Sequence, residues 1–175
     1  YTVAFSFDGR LLAAGADGLR TVYAEFRDAA LNVLPLSDTI NYDTTAPGMV
    51  SAINASPAHE EVQLTWTDPG DGDLAAIEIW RALWHDGALN SAYPEYDDMG
   101  ADVFPGRPAD RANALISAEW DSVGTALPEA ESFVDAVATR GVYIYEVFPR
   151  DLAGNYGPRA ASGNDYATNY WLGDV

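Results

Sequence analysis

Large apolar residues alternate with small or polar ones along most of this chain, with a period of two. The pattern is cleanest in Glu61-Val62-Gln63-Leu64-Thr65-Trp66, where Val62, Leu64 and Trp66 fall on one face. It is strongest in Val142-Tyr143-Ile144-Tyr145-Glu146-Val147-Phe148. Side chains that switch faces at every residue mark a β-strand. The same signal predicts strands at Tyr1–Phe7, Arg10–Ala13, Leu19–Arg27 and Leu36–Tyr42, separated by Asp8-Gly9, Asp17-Gly18 and the Asp28–Asn32 turn. Beyond Pro47-Gly48 it predicts Met49–Ser56, Glu61–Trp66, Ala76–Arg81, Trp120–Gly124, Ser132–Val137, Val142–Arg150 and Gly157–Ser162. Glycine and proline are frequent and dispersed, which suits short strands joined by turns. The expected fold class is all-β, a sandwich of antiparallel sheets.

One turn signature occurs twice, as Arg27-Asp28-Ala29-Ala30-Leu31-Asn32 and Arg150-Asp151-Leu152-Ala153-Gly154-Asn155. Each copy closes an alternating run, so the chain reads as tandem modules. Residues 1–47 hold about half the strands of a sandwich, residues 48–165 a complete module, and 166–175 a tail or the start of a next module. The second module's expected core is Val62, Leu64, Trp66, Ile77, Ile79, Tyr145 and Val147, with Tyr143 at its rim.

The order Val62-x-Leu64-x-Trp66, Ile77-x-Ile79-x-Arg81, then Tyr143-x-Tyr145-x-Val147-x-Pro149-x-Asp151 with Gly154-Asn155 resembles the B, C and F strands of a fibronectin type III domain. The resemblance implies that Tyr143 is a tyrosine corner, its hydroxyl tied to the E–F crossing. Pro149 stands where that family has alanine; proline lacks a ladder donor, so a bulge or an edge is expected there. Residues 1–47, with the Arg27–Asn32 turn running into Asp43-Thr44-Thr45-Ala46-Pro47, resemble the C-terminal half of a bacterial immunoglobulin-like repeat. Leu31 occupies that family's glycine position, so the turn is expected to forgo its usual left-handed geometry. Leu172-Gly173-Asp174-Val175 is similar to the opening of a dockerin-like calcium loop. These resemblances imply a secreted or cell-surface bacterial protein built of many modules, of which this chain is a segment.

Composition narrows the partners. Twenty-seven acidic residues face nine basic ones, all arginine, for a formal charge of −18. Such a field repels phosphate backbones and anionic membrane surfaces, so nucleic acid is excluded as an expected partner. With no cysteine, neither disulfides nor thiolate metal sites can form. No apolar run is long enough to span a bilayer as a helix.

Candidate chemistry is sparse. Asp68, Asp71 and Asp73 offer the hard oxygens that calcium accepts, or else an ordinary Asp/Gly turn. The tandem-array resemblance makes Asp28 and Asp43 candidate calcium ligands at the module junction, against the alternative that Asp28 and Asn32 bond their own turn. The long stretch 82–115 falls where a fibronectin type III domain has a short C–C′ loop, and loops of that length are usually functional. Its Trp84, Tyr93, Tyr96 and Phe104, beside Glu95, Asp97, Asp98 and Asp102, suit a glycan platform or an apolar patch pinning the insertion to the sandwich. His59 and His85 lie in no nucleophile pattern, and phosphate-loop and zinc motifs are missing. The sequence therefore predicts a non-catalytic spacer or assembly segment. The alternatives are a glycan- or protein-binding module using 82–115 and an accessory domain of a secreted glycanase. The apolar faces of residues 1–47 (Val3, Phe5, Phe7, Val22, Phe26) imply completion by other modules of the same polypeptide or by neighbouring subunits, as in a filament.

Overall fold

A computed structural model describes residues 16–84, 105–161 and 163–169. The strands are β1 (Gly18–Arg27), β2 (Val33–Tyr42), β3 (Ser51–Ala58), β4 (Glu61–Thr67), β5 (Leu74–Trp84), β6 (Trp120–Ala126), β7 (Ser132–Ala136), β8 (Val142–Asp151) and β9 (Tyr166–Thr168). A single-turn helix, α1 (Arg111–Ile116), precedes β6. The chain divides into two compact units between Thr45 and Ala46.

The first unit holds the antiparallel hairpin β1–β2, with Gly18 opposite Tyr42 and Arg27 opposite Val33. Its register places Val22, Ala24 and Phe26 on the same face as Leu34, Leu36 and Ile40. β2 begins at Val33 rather than Leu36, because the Asp28 turn is tight enough for pairing to resume at once. The strands expected at Tyr1–Phe7 and Arg10–Ala13 lie outside the described residues.

The second unit is a sandwich of two antiparallel sheets, β3-β4-β7 and β6-β5-β8-β9. This is the immunoglobulin-like arrangement, with the strand after C (β6) bonded to C (β5). Val62, Leu64, Trp66, Ile77, Ile79, Tyr145 and Val147 meet between the sheets, as their alternation requires. Trp66 is 4% and Val147 0% exposed, which fixes the register of both strands. The Tyr143 hydroxyl donates to the Thr139 carbonyl at 2.7 Å, the corner that the resemblance implied. Buried Asn169 closes the same corner, donating to the Val137 and Thr139 carbonyls and accepting from the Gly141 N–H. Pro149 itself pairs in register with Ile77 and its carbonyl accepts from the Gly157 N–H on the other side of β8; the β5–β8 register slips beyond it, between Leu74 and Ala76.

Two expectations are corrected. The last strand is β9 at Tyr166–Thr168, not Gly157–Ser162. A Cβ on Gly157 would sit 2.4 Å from the Pro47 carbonyl oxygen, so this segment serves close backbone approach rather than a full ladder. Leu31 does adopt the left-handed conformation, at φ +66°, as Gly154 does at φ +94° in the second copy. The turns share one bonding scheme. Asp28 N–H donates to Asn32 O and Leu31 N–H to Asp28 O; Asp151 and Gly154 repeat the pattern with Asn155.

A side chain costs about 1–2 kcal/mol in the left-handed region, while glycine gives back about 0.5–1 kcal/mol in chain entropy. Leu31 is 75% exposed and contributes little packing. Leu31→Gly should therefore stabilise the hairpin by about 0.5–1 kcal/mol, read as slower amide exchange in β1 and β2. Faster exchange would show that Leu31 packs where its exposure denies it.

Candidate functional site

β8 is buried on both sides. Tyr143, Tyr145 and Val147 face the other sheet, while Ile144 and Phe148 form a second core with Trp80, Ala82, Trp120 and Ala114 of α1. Residues 105–117, the latter part of the stretch expected to be an insertion, thus cover the outer face of the four-stranded sheet. Asp110 starts α1 as an N-cap, its Oδ1 accepting from the Asn113 N–H at 2.8 Å. The Trp120 indole N–H reaches across to the Gly106 carbonyl at 2.8 Å.

Covering this face buries Glu146, which points outward from the middle of β8. Its carboxylate accepts from Arg107 Nη1 at 2.7 Å and Arg159 Nη1 at 3.0 Å. Arg107 also grips Asp165 in two-pronged fashion, Nη1 to Oδ2 at 2.6 Å and Nη2 to Oδ1 at 2.9 Å. Burial raises the Glu146 carboxyl above its ordinary range, opposed by the bonds from the two arginines. The Arg107 guanidinium is held firmly charged, chiefly by its bonds to Asp165. One arginine of the covering segment therefore ties it to β8 and to the approach of β9.

A second group lies further along the same face. Glu78 accepts from Tyr156 Oη at 2.5 Å, Arg111 Nε at 3.0 Å and Trp80 Nε1 at 3.3 Å. Burial alone would raise the Glu78 carboxyl, yet these three donors hold it below its ordinary range. The Arg111 guanidinium lies over the Tyr156 ring at 4.9 Å and the Trp80 ring at 5.7 Å. A third group bridges the two sheets: Arg81 Nη1 donates to Asp135 Oδ2 at 2.9 Å, and the Tyr145 hydroxyl donates to the same oxygen at 2.8 Å.

The sequence-derived candidates fall elsewhere. Trp84, at the end of β5, meets Tyr166 edge to face at 6.1 Å. Tyr93, Tyr96 and Phe104 lie outside the described residues. Asp28 serves its own turn, accepting from the N–H groups of Ala30 and Asn32 and from Asn32 Nδ2. Asp43 Oδ1 accepts from the Thr45 N–H. Asp68 accepts from the Trp66 indole at 2.7 Å and the Glu129 N–H at 2.8 Å. Asp71 accepts from the Gly48 N–H at 2.7 Å. The carbonyl of Asp73 accepts from the Leu152 N–H. Asp28 thus serves its own turn, whereas Asp68 and Asp71 each accept from a backbone N–H of another segment. Sequence reasoning missed Arg107, Arg111, Glu78, Glu146, Tyr156 and Asp165; Glu146, an acid inside an apolar run, was the available signal.

No protein-family model matches the sequence, and neither does any curated protein. Solved structures give distant likenesses. Domains A168–A170 of titin align at 13% identity and a TM-score of 0.46, covering 88% of this chain and 41% of that one. A β-1,2-glucanase from Parabacteroides distasonis aligns at 18% identity and 0.42, covering 84% and 17%. Domains d3–d4 of the rat CD45 extracellular region align at 12% and 0.42, covering 94% and 70%. The chain thus spans less than half the length of the first two.

Removing Arg107 would strand the buried Asp165 carboxylate and leave Glu146 to Arg159. Arg107→Ala should cost the second unit about 3–5 kcal/mol near neutral pH. Burial already holds the Glu146 carboxyl above the ordinary glutamate value of 4.5, and loss of the Arg107 bond would raise it further. A carboxyl raised in the folded state penalises folding when ionised, so the loss should shrink as pH falls toward that value. Urea melts of both proteins at several pH values measure it; a loss independent of pH would mean that Glu146 does not contribute to it.

Proposed function

We propose that this chain is a non-catalytic structural segment of a secreted or cell-surface bacterial protein. In this reading its first unit is completed by strands from another module of the same polypeptide or from a neighbouring subunit. The observation that carries the reading is the apolar face of the β1–β2 hairpin, where Phe26 is 47%, Leu34 59% and Leu36 51% exposed. A lone two-stranded ribbon is marginally stable in water, and an apolar face between two open edges invites further strands. Among the described residues of the second unit, Arg81 with Asp135 and Arg107 with Glu146 and Asp165 tie separate segments together, which supports a mechanical or spacing role. Supply of the missing strands by the next subunit would propagate head to tail into a filament.

Hydrogen exchange, with the association state fixed by sedimentation, tests this reading. In monomeric chain, β1 and β2 should exchange far faster than β5 and β8, and added neighbouring module or self-association should slow them. Full protection of the hairpin in a demonstrated monomer would overturn the proposal.

A further inference from the structure

Arg111 differs from the other arginines of the outer face. Arg107 spends both terminal amino groups on carboxylates, and Arg159 directs Nη1 to Glu146. Arg111 uses Nε alone, on Glu78, and among the described residues neither of its terminal amino groups has a hydrogen-bond partner. It is held on one edge by Glu78, and its Cζ lies over the rings of Tyr156 and Trp80. The guanidinium also borders an open cleft of about 340 Å³, with Ala112, Leu115, Tyr156, Gly157 and Asp110 as the other walls. Leu115 is half-exposed there with no covering core.

We infer that this cleft is a binding site for a small monocarboxylate with an aliphatic body, the carboxylate on the terminal nitrogens of Arg111 and the body against Leu115 and Ala112. A planar fork held rigid before binding loses little freedom when it takes up two oxygens side by side. The volume lies at the small end of ligand pockets, which suits a molecule of a few carbons. Asp110 on the rim keeps Oδ1 for the helix cap, and its charge opposes a dianion such as phosphate about twice as strongly as a monocarboxylate. Glu78 acts as the positioning residue: its three donors keep it ionised and so keep the fork oriented. The inference concerns the second unit alone and stands independently of how the hairpin is completed.

The test titrates 4-methylpentanoate and its neutral amide into the full chain while following the Arg111 Nε–Hε resonance. The acid should saturate this signal in the millimolar range, with the amide about tenfold weaker or worse, as expected when a charge-assisted pair is lost. Arg111→Lys keeps the charge but removes the fork and should abolish the acid's saturable shift of the Trp80 indole N–H, a signal beside Arg111 that both chains carry, with the Trp120 indole signal unchanged as the folding control. If that variant unfolds, the comparison of acid and amide in the native chain decides the matter. Equal responses to acid and amide, or no saturation by the acid, would reduce Arg111 to a packing residue and overturn the inference.

Discussion

The pairing of Arg107 with Glu146 and Asp165 governs the second unit, because β8 is buried on both faces and carries a carboxylate at its centre. A strand in that position cannot send a charge to water. Either the residue is apolar or a partner must come to it, and here the partner comes from the segment between β5 and β6. Once Arg107 is committed, Pro105, Pro108 and α1 follow it onto the sheet, closing Ile144, Phe148, Trp80 and Trp120 into a second core. The ion pairs specify where the cover sits; the apolar burial beneath it provides most of the stabilisation.

The two units solve the same problem differently. In the second, each sheet buries its inner face against the other, and the larger sheet buries its outer face as well. The Arg81–Asp135–Tyr145 group spans the gap between sheets, so register errors in β5, β7 or β8 would strand a charge. In the first, the described residues form a hairpin with correct alternation and a well-bonded turn, and Phe26, Leu34 and Leu36 on its apolar face are about half-exposed. The repeated Asp…Asn turn shows that local chemistry is the same in both.

Much of the sandwich was legible because period two is a local signal. β4, the centre of β5 and β8 announce themselves, and the tyrosine corner follows from the F-strand motif. β9 was not legible, since three residues carry no periodicity, and the apolar and glycine content of Gly157–Ser162 imitated a strand. The cover over the outer face left one trace. Val142–Phe148 is apolar at nearly every position, as a strand buried on both sides must be. The ionic groups left almost none, since Arg107 pairs with residues 39 and 58 positions away and its acids are lost among many others. An acidic chain makes each carboxylate uninformative in sequence, whereas its few arginines are where structure decides the outcome.

Arg107 should make residues 105–117 one cooperative body with the sandwich. Exchange of the Trp120 indole proton, which bonds Gly106 of the cover, reports the cover's opening; the Val147 amide reports that of β8. Native-state hydrogen exchange across rising denaturant compares the two directly. Both protons should exchange through the same opening, with equal free energy and equal dependence on denaturant. Exchange of the Trp120 proton through a small, denaturant-independent fluctuation, while Val147 stays protected to the global limit, would contradict it.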